Sequence, residues 1–226
     1  MLTDFFALFF PNTCITCNQA LIKGEKLICL SCDYKMAKTD SHMDNNNFLA
    51  KKFHGRIEIE NAWAYYQFHK KGRIQRLLHQ MKYHNMPELA ELVGRKLGHT
   101  LEENHKHMEI DVIIPVPLHK SKMRRRGYNQ SEHFANGLAQ YLECEVATKS
   151  IIRVKDTETQ TSKSRVQRWQ NVDEIFKVID ELSLKDRHVL LVDDVITTGS
   201  TIEACGQSMA KANLKSLSIA AMAAAK

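Results

Sequence analysis

The sequence predicts an α/β protein in which helices flank a parallel β-sheet, with a small cysteine-containing module at the N-terminus. Apolar segments of strand length alternate with segments whose apolar residues recur at helical spacing, and this alternation favours a parallel sheet. Two Cys-x-x-Cys pairs near the N-terminus indicate the separate module. We expect an N-terminal helix, the cysteine module and a linker over residues 1–55, and the α/β domain over residues 56–226.

The cysteine module contains the pattern C-x2-C, eleven residues, C-x2-C. Two residues between thiolates let one tight turn direct both sulfurs to a single point, and two such turns supply a tetrahedral zinc site. A disulfide pair needs an oxidising compartment, and a redox motif does not explain two pairs so close together. We therefore expect a structural Zn²⁺ ion, since four thiolates leave no open position. Its ligands would be Cys14, Cys17, Cys29 and Cys32.

The first half of the α/β domain follows a polar linker. Residues 33–55 are polar and irregular, and the aromatic segment 59–68 could be a strand. Residues 72–83 carry apolar side chains at helical spacing, and a second helix is expected after Pro87. The segment DVIIPVP at 111–117 is typical of a buried strand ended by prolines.

The second half continues the alternation. A basic loop after residue 117 is expected to lead into a helix over residues 131–142, capped by Ser131. The further predicted elements are strands near 148–154 and 175–179, a strand at 188–192, a helix at 201–213 and a last strand at 217–222.

Composition narrows the class of protein. The 226 residues are 43% hydrophobic and 26% charged, which suits one sizeable core with a small appendage. The net charge of +6 is compatible with phosphate-bearing ligands or nucleic acid, but establishes neither. No apolar run has the length of a membrane span, and the N-terminal MLTDFFALFFP lacks the features of a signal peptide. We expect a cytoplasmic protein without a transmembrane segment, whose first residues form a short amphipathic helix.

In the stretch VLLVDDVITTG at residues 189–199, the apolar residues of a predicted strand are followed directly by Asp193 and Asp194. In a parallel sheet such residues lie at the ligand-binding edge, and the N–H groups that begin the next helix favour an anion such as a terminal phosphate. The carboxylates could accept hydrogen bonds from ribose hydroxyls or hold Mg²⁺. The alternative is a surface turn with capping side chains. The predicted phosphate-binding residues are Val195, Thr197, Thr198, Gly199, Ser200 and Thr201.

The stretch VLLVDDVITTGST resembles the phosphoribosyl pyrophosphate (PRPP) signature of type I phosphoribosyltransferases. Together with the cysteine pairs, LLHQMKY, PVPLHKSKMRRRGYNQSEHFANGLA and the TETQ segment, it makes nearly the whole chain similar to the ComF family. These are competence-type proteins with a type I phosphoribosyltransferase-like fold and an N-terminal zinc ribbon. The chain departs from the family in its polar residues 33–58 and at Lys163, where a leucine is common.

The resemblance implies a second wall of the site, formed by the segment after the first core strand and facing the pyrophosphate. The alternatives for its basic run are a solvated surface and a nucleic-acid patch. Residues 157–171 match the mobile loop of the family at Thr157, Gln160, Arg168 and Asn171, although a plain surface loop is the alternative. The pyrophosphate-side residues would be Pro115, Val116, Pro117, Arg124, Arg126, Gly127, Asn129 and Gln130.

Two functions follow from the resemblance. One is a role in DNA uptake during natural transformation, with single-stranded DNA or a DNA-uptake helicase as partner and a pocket for PRPP or a ribose 5-phosphate group. The other is an active phosphoribosyltransferase that uses Mg²⁺, with Asp193 and Asp194 as catalytic pair and an unidentified base or amine as acceptor. A closed apolar slot beside Asp194 would favour the enzyme, and an open basic groove reaching Arg124 to Arg126 would favour DNA.

Overall fold

A five-stranded parallel sheet forms the centre of the molecule. The computed structural model describes residues 11–104, 109–155 and 175–226. Within these ranges the strand order is β1-β7-β6-β2-β3, and β4 and β5 form a separate antiparallel pair. The strands are β1 Ala62–Gln67, β2 Val112–Pro115, β3 Glu145–Val146, β4 Ile151–Arg153, β5 Phe176–Val178, β6 His188–Ile196 and β7 Ser216–Ala224.

Seven α-helices accompany the strands in the described ranges. None of them combines the length and the apolar character that crossing a bilayer would require. They are α1 Leu30–Lys35, α2 Phe48–Lys51, α3 Arg73–Tyr83, α4 Pro87–Asn104, α5 Lys120–Arg126, α6 Gln130–Leu142 and α7 Ser200–Met209, with short 3₁₀ turns at Ser41–Met43 and Ala210–Ala212.

Both faces of the sheet are buried, which confirms the predicted α/β architecture. Along β6, Val189 and Leu191 lie in one hydrophobic cluster with residues of α2 and α7. Leu190 and Val192 alternate with them and lie in a second cluster with residues of α3, α4 and α6. A strand covered on both faces is apolar at every position, and this explains the unbroken VLLV run.

Helices α4 and α6 cross at very short range on the second face. A side chain at Gly137 would bring its Cβ within 2.3 Å of the Glu91 carbonyl oxygen, and one at Gly94 would come within 2.2 Å of the Phe134 carbonyl oxygen. Only glycine permits this approach. The contact fixes α6 against α4, and thereby fixes the N-terminal end of α6 at the edge of the sheet.

The basic stretch after residue 117 was predicted as a loop, and this prediction is wrong. It forms helix α5, in which the His119 side chain accepts a hydrogen bond from the Ser121 amide at 3.3 Å. Gly127 ends the helix with a φ of 83°, a conformation that favours glycine. Both ends of this cationic helix are therefore capped.

The predicted cap of the next helix is also wrong. Asn129, not Ser131, caps α6: its Oδ1 accepts a hydrogen bond from the Ser131 amide at 3.1 Å. The Asn129 Nδ2 donates to the Val116 carbonyl at 3.0 Å and so joins the helix to the end of β2. The hydroxyl of Ser131 is left available for a contact elsewhere.

Residues 33–55, which were predicted to be an irregular linker, contain helix α2 and buried side chains. Asn47 accepts hydrogen bonds from the Leu49 and Ala50 amides and thereby caps α2. Leu49 and Phe53 are fully buried against the sheet. Strand β6 also continues past residue 192 to Ile196, because it stays paired with β7 over that length.

Two of the sequence predictions lie outside the described residues. These are the N-terminal helix within residues 1–10 and the loop at 157–171. The division of the chain at residue 55 stays a prediction.

Candidate functional site

Two carboxylates lie side by side near the end of β6. Asp193 and Asp194 follow Val192, which pairs with Pro115 at the end of β2. The Oδ1 atom of Asp193 accepts hydrogen bonds from the Asp194 amide at 2.8 Å and from the Ser131 hydroxyl at 3.1 Å. The N-terminal end of α6 therefore contacts the acid pair directly through Ser131, the residue that we had predicted to cap this helix.

The environment of Asp193 favours its neutral form. Burial raises the pKa of this carboxyl to about 7, and the neighbouring charge of Asp194 adds to the effect. The amide of Asp194, the ammonium of Lys82 and the hydroxyl of Ser131 act in the opposite direction. Asp193 can therefore exchange a proton near neutral pH.

The second carboxylate has a cationic partner from another part of the chain. The Nζ atom of Lys82, in the last turn of α3, lies 2.7 Å from Oδ2 of Asp194. Both side chains are largely buried, with 24% and 13% of their surfaces exposed. The sequence analysis missed Lys82, although it lies within the segment LLHQMKY that supports the family resemblance.

The loop between β6 and α7 presents unbonded amide groups. Within the part of the chain that the structure describes, the amides of Thr197, Thr198, Gly199 and Thr201 donate no hydrogen bond. The Ser200 amide contacts Thr198 Oγ1 at 3.4 Å. Residues 195–202 and Asp193 surround about 210 Å³ of space, part of it open to solvent. Free amides at the N-terminal end of a helix form a site for an anion.

The outer side of this loop, residues 195–201, rests on the segment predicted as a linker. We call this loop the phosphate loop after its predicted ligand. Gly199 has a φ of 80°, and a Cβ there would come within 2.8 Å of the Phe53 ring. The Arg56 guanidinium donates to the Thr198 carbonyl at 2.9 Å and also pairs with Glu203 in α7. Phe53 and Arg56 therefore support the loop at Gly199 and Thr198. The sequence analysis missed both contacts because it assigned Phe53 to a linker and gave Arg56 no role.

The second wall is partly brought to the same edge. Val116 is buried, and its amide donates to the Val192 carbonyl at 2.9 Å. Asn129 is buried and bonded to Val116, while Arg126 donates a hydrogen bond to Oε1 of Gln130. Both polar atoms of the Asn129 side chain are therefore used in hydrogen bonds that join the start of α6 to the end of β2.

The remaining residues of that wall are more exposed. Gly127 ends α5, and Pro117 is half-buried next to Val116. Arg124 is exposed on α5, and no hydrogen bond or ion pair joins it to the acid pair in the described ranges. The predicted pyrophosphate-side residues thus divide into a buried group beside β6 and an exposed basic helix.

The four cysteines converge on one point. The sulfur atoms of Cys14, Cys17, Cys29 and Cys32 all lie within 4.8 Å of one another, and those of Cys17 and Cys29 are 3.8 Å apart. Zinc–sulfur bonds of about 2.3 Å in a tetrahedron place the sulfurs about 3.8 Å apart, so the cluster could hold a zinc ion. Burial opposes ionisation of Cys14, but hydrogen bonds from the Cys29 amide and from Thr16 outweigh it and lower its pKa to about 6.

The cysteine cluster is held against the α/β body by polar contacts. Arg76 of α3 donates to the Thr16 carbonyl at 3.2 Å. Asp33 of α1 pairs with Lys96 of α4 at 2.6 Å and accepts a hydrogen bond from the Tyr66 hydroxyl at 2.8 Å. Helix α3 therefore contacts the cluster through Arg76 and the acid pair through Lys82.

Asp193→Asn should make the chain more stable at pH 8. The pKa of Asp193 is about 7 in the fold against an ordinary value of 3.8, so the unfolded chain gains from ionisation between these values and wild-type stability falls over that range. Asparagine avoids this loss and can still accept both hydrogen bonds. Thermal unfolding should show an increase of ~2–4 °C or more at pH 8 that shrinks towards pH 4.5.

The control is Glu181→Gln, which makes the same chemical change at an exposed position. It should shift the melting temperature little at either pH. A melting temperature of Asp193→Asn at or below that of the wild type at pH 8 would show that Asp193 ionises without cost in the folded chain.

Comparison with known proteins found a matching family model and structural neighbours. The family model of the phosphoribosyl transferase domain matches residues 127–226, which include the acid pair and the phosphate loop. The glutamine PRPP amidotransferase from Bacillus subtilis, complexed with ADP and GMP, is a structural neighbour with a TM-score of 0.44 and 18% identity, covering 63% of this chain and 30% of that chain.

Two relatives match over most of their length. The DNA utilization protein YhgH of Escherichia coli O157:H7 is 31% identical over 207 residues, covering 89% of this chain and 85% of that protein. The Competence protein F of Haemophilus influenzae is 26% identical over 226 residues, covering 96% and 99%. Taken with the parallel sheet and the four clustered cysteines, these matches show that the chain belongs to the ComF family of competence-type proteins with a type I phosphoribosyltransferase-like fold.

Proposed function

We propose that this protein binds PRPP or a ribose 5-phosphate group at the end of β6 and acts in DNA uptake during natural transformation. The observation that carries the ligand proposal is a set of amides, those of Thr197, Thr198, Gly199 and Thr201, that donate no hydrogen bond to any described residue and lie next to two carboxylates. The amides and the helix end would hold the 5′-phosphate. Asp193 and Asp194 would accept hydrogen bonds from the ribose hydroxyls.

The second wall would face the diphosphate of PRPP. Val116, Pro115 and the start of α6 lie beside β6 at this edge. Mg²⁺ would arrive with the diphosphate and offset its charge, and the carboxylates of Asp193 and Asp194 are the oxygen ligands that this ion prefers. Arg124 and Arg126 belong to α5, which follows β2, and would complete the wall with positive charge.

The DNA part of the proposal is supported by the relatives and by charge. The matched relatives are named for DNA utilization and for competence. The net charge is +6, and α5 exposes Arg124 and Arg125 to solvent. Exposed arginines bind phosphate groups along a single strand. We propose single-stranded DNA, or a DNA-uptake helicase that carries it, as the partner of this surface and of the cysteine module.

An active phosphoribosyltransferase that uses Mg²⁺ and an unidentified base or amine is the second candidate function. The match of residues 127–226 to a phosphoribosyl transferase domain favours it. Asp193 and Asp194 would position the ribose while pyrophosphate leaves and the acceptor attacks. Release of pyrophosphate from PRPP by the wild type, dependent on an added base or amine, would favour this function over simple binding.

We further propose that the four cysteines bind a structural Zn²⁺ ion. The sulfurs are close enough for one tetrahedral ion, and three of the four cysteines are buried. Such an ion stabilises a short module that has little core of its own. Reduced thiolates of this kind are typical of the cytoplasm, where we propose the protein acts.

Calorimetry with PRPP and Mg²⁺, and with ribose 5-phosphate, tests the ligand proposal. We expect the wild type to bind both, and Asp194→Ala to weaken both by about tenfold or more, because it removes an acceptor for ribose hydroxyls. Asp33→Ala is the control, since Asp33 also pairs with a lysine but lies in the cysteine module. Wild-type protein that binds neither ligand would contradict the proposal.

Single-stranded DNA binding tests the basic surface. The double variant Arg124→Ala/Arg125→Ala should weaken binding and reduce the slope of log affinity against log salt by roughly 1.4, which is about 0.7 for each phosphate that the variant no longer neutralises. Lys211→Ala/Lys215→Ala removes equal charge near the start of β7, at the opposite end of the sheet. If the two variants reduced the slope equally, the interaction would be a general effect of net charge.

Cys29→Ser tests the zinc proposal. The variant should hold far less zinc and should melt ~5 °C or more below the wild type, because loss of one thiolate removes much of the metal's contribution to folding. Metal content and thermal unfolding measure this. Cys144→Ser, a half-buried cysteine outside the cluster, should keep the zinc. Full zinc content and an unchanged melting temperature in Cys29→Ser would exclude the site.

A further inference from the structure

The end of α3 is fixed at the acid pair from two sides. Lys82 pairs with Asp194 at 2.7 Å. The preceding residue, Met81, is fully buried, and its carbonyl oxygen accepts a hydrogen bond from the Tyr128 hydroxyl. Tyr128 lies next to the cap of α6, whose Ser131 contacts Asp193. The ammonium of Lys82 therefore belongs to a largely buried ion pair at the end of a packed helix.

This ammonium group has unused bonding capacity. A lysine carries three N–H donors, and Asp194 is the single described carboxylate within ion-pair distance of Lys82. Partly buried ion pairs contribute little to stability, because desolvation offsets their attraction. Stability alone therefore gives a weak reason for a lysine here.

The position of Lys82 separates it from the phosphate loop. The space in front of the loop is surrounded by Asp193 and residues 195–202, and neither Asp194 nor Lys82 lines it. A ribose bound with its 5′-phosphate on the loop and its hydroxyls on the carboxylates would present its C1 substituent away from that loop. Lys82 also lies outside residues 127–226, so the match to the phosphoribosyl transferase domain does not supply this charge.

We propose that Lys82 is a specificity-determining residue that binds the anionic group at C1 of the bound ribose, the diphosphate in PRPP, while it stays paired with Asp194. This inference rests on the proposed ribose-phosphate function of the same site. The pair with Asp194 would hold the ammonium in position, and its other two N–H groups would donate to diphosphate oxygens. The chain would then distinguish PRPP from ribose 5-phosphate through a helix that lies before the matched domain.

Ligand discrimination tests this role. Calorimetry on the full chain, with Mg²⁺ present, would measure PRPP and ribose 5-phosphate binding to the wild type and to Lys82→Met. We expect Lys82→Met to lower the affinity for PRPP by about tenfold or more, the loss expected for charge-assisted hydrogen bonds. The affinity for ribose 5-phosphate should change by less than about threefold. Lys82→Arg keeps the charge and should restore most of the preference for PRPP.

Lys96→Met is a matched control. Lys96 also pairs with an aspartate, at 2.6 Å, and the side chains of that pair have similar exposure, 26% and 23%. It lies on α4 against the cysteine module, so its loss should alter neither affinity. If Lys82→Met does not fold, as judged by thermal unfolding, Lys82→Gln takes its place, since glutamine keeps a hydrogen-bonding side chain without the charge.

The outcomes separate the two proposals. A wild type that binds neither ligand overturns the proposed function. A wild type that binds both, with equal losses for the two ligands in Lys82→Met, shows that Lys82 acts only by holding Asp194. Equal increases in the affinity of Lys82→Met for the two ligands would show that Lys82 hinders binding at the site. Either of these last two results overturns the role in diphosphate binding and leaves the proposed function standing.

Discussion

Burial of Asp193 next to a second carboxylate, Asp194, is the constraint on which the candidate site depends. Two adjacent carboxylates at the end of a buried strand cannot both ionise without compensation. The Ser131 hydroxyl and a backbone amide contact one carboxylate, and Lys82 contacts the other. These partners come from α6, β6 and α3, so three elements must be in place before the edge of the sheet has its observed charge. The close crossing of α4 and α6 serves this arrangement, because it sets where α6 begins.

Helix α3 connects the two chemical features of the chain. Arg76 contacts the cysteine cluster through the Thr16 carbonyl, and Lys82 contacts Asp194. The residues between them, such as Leu77, Leu78 and Met81, are buried in the core. One packed helix therefore carries a contact to each feature, about two turns apart.

The sequence allowed prediction of features that depend on neighbouring residues. The apolar run before Asp193, the small residues after it and the spacing of the cysteines are all local, and they predicted β6, the phosphate loop and the cluster. Contacts between distant segments were missed. No residue near Asp194 in the sequence indicates that Lys82 pairs with it. The polar residues around Phe53 and Arg56 suggested a linker, so the contacts of these two residues with the phosphate loop were not predicted. The caps at His119 and Asn129 were missed because neighbouring residues offered competing signals, the basic run and Ser131.

The last strand brings the end of this chain to the same edge. Strand β7 ends at Ala224 beside Ile196, and the amide of Ala225 donates to the Ile196 carbonyl at 2.9 Å. The ammonium of Lys226 then lies 5.8 Å from the centre of the Phe48 ring, next to the segment that supports the loop. An affinity tag or fusion partner joined after Lys226 would therefore emerge beside Thr197, where its negative charges would compete with any anion held there.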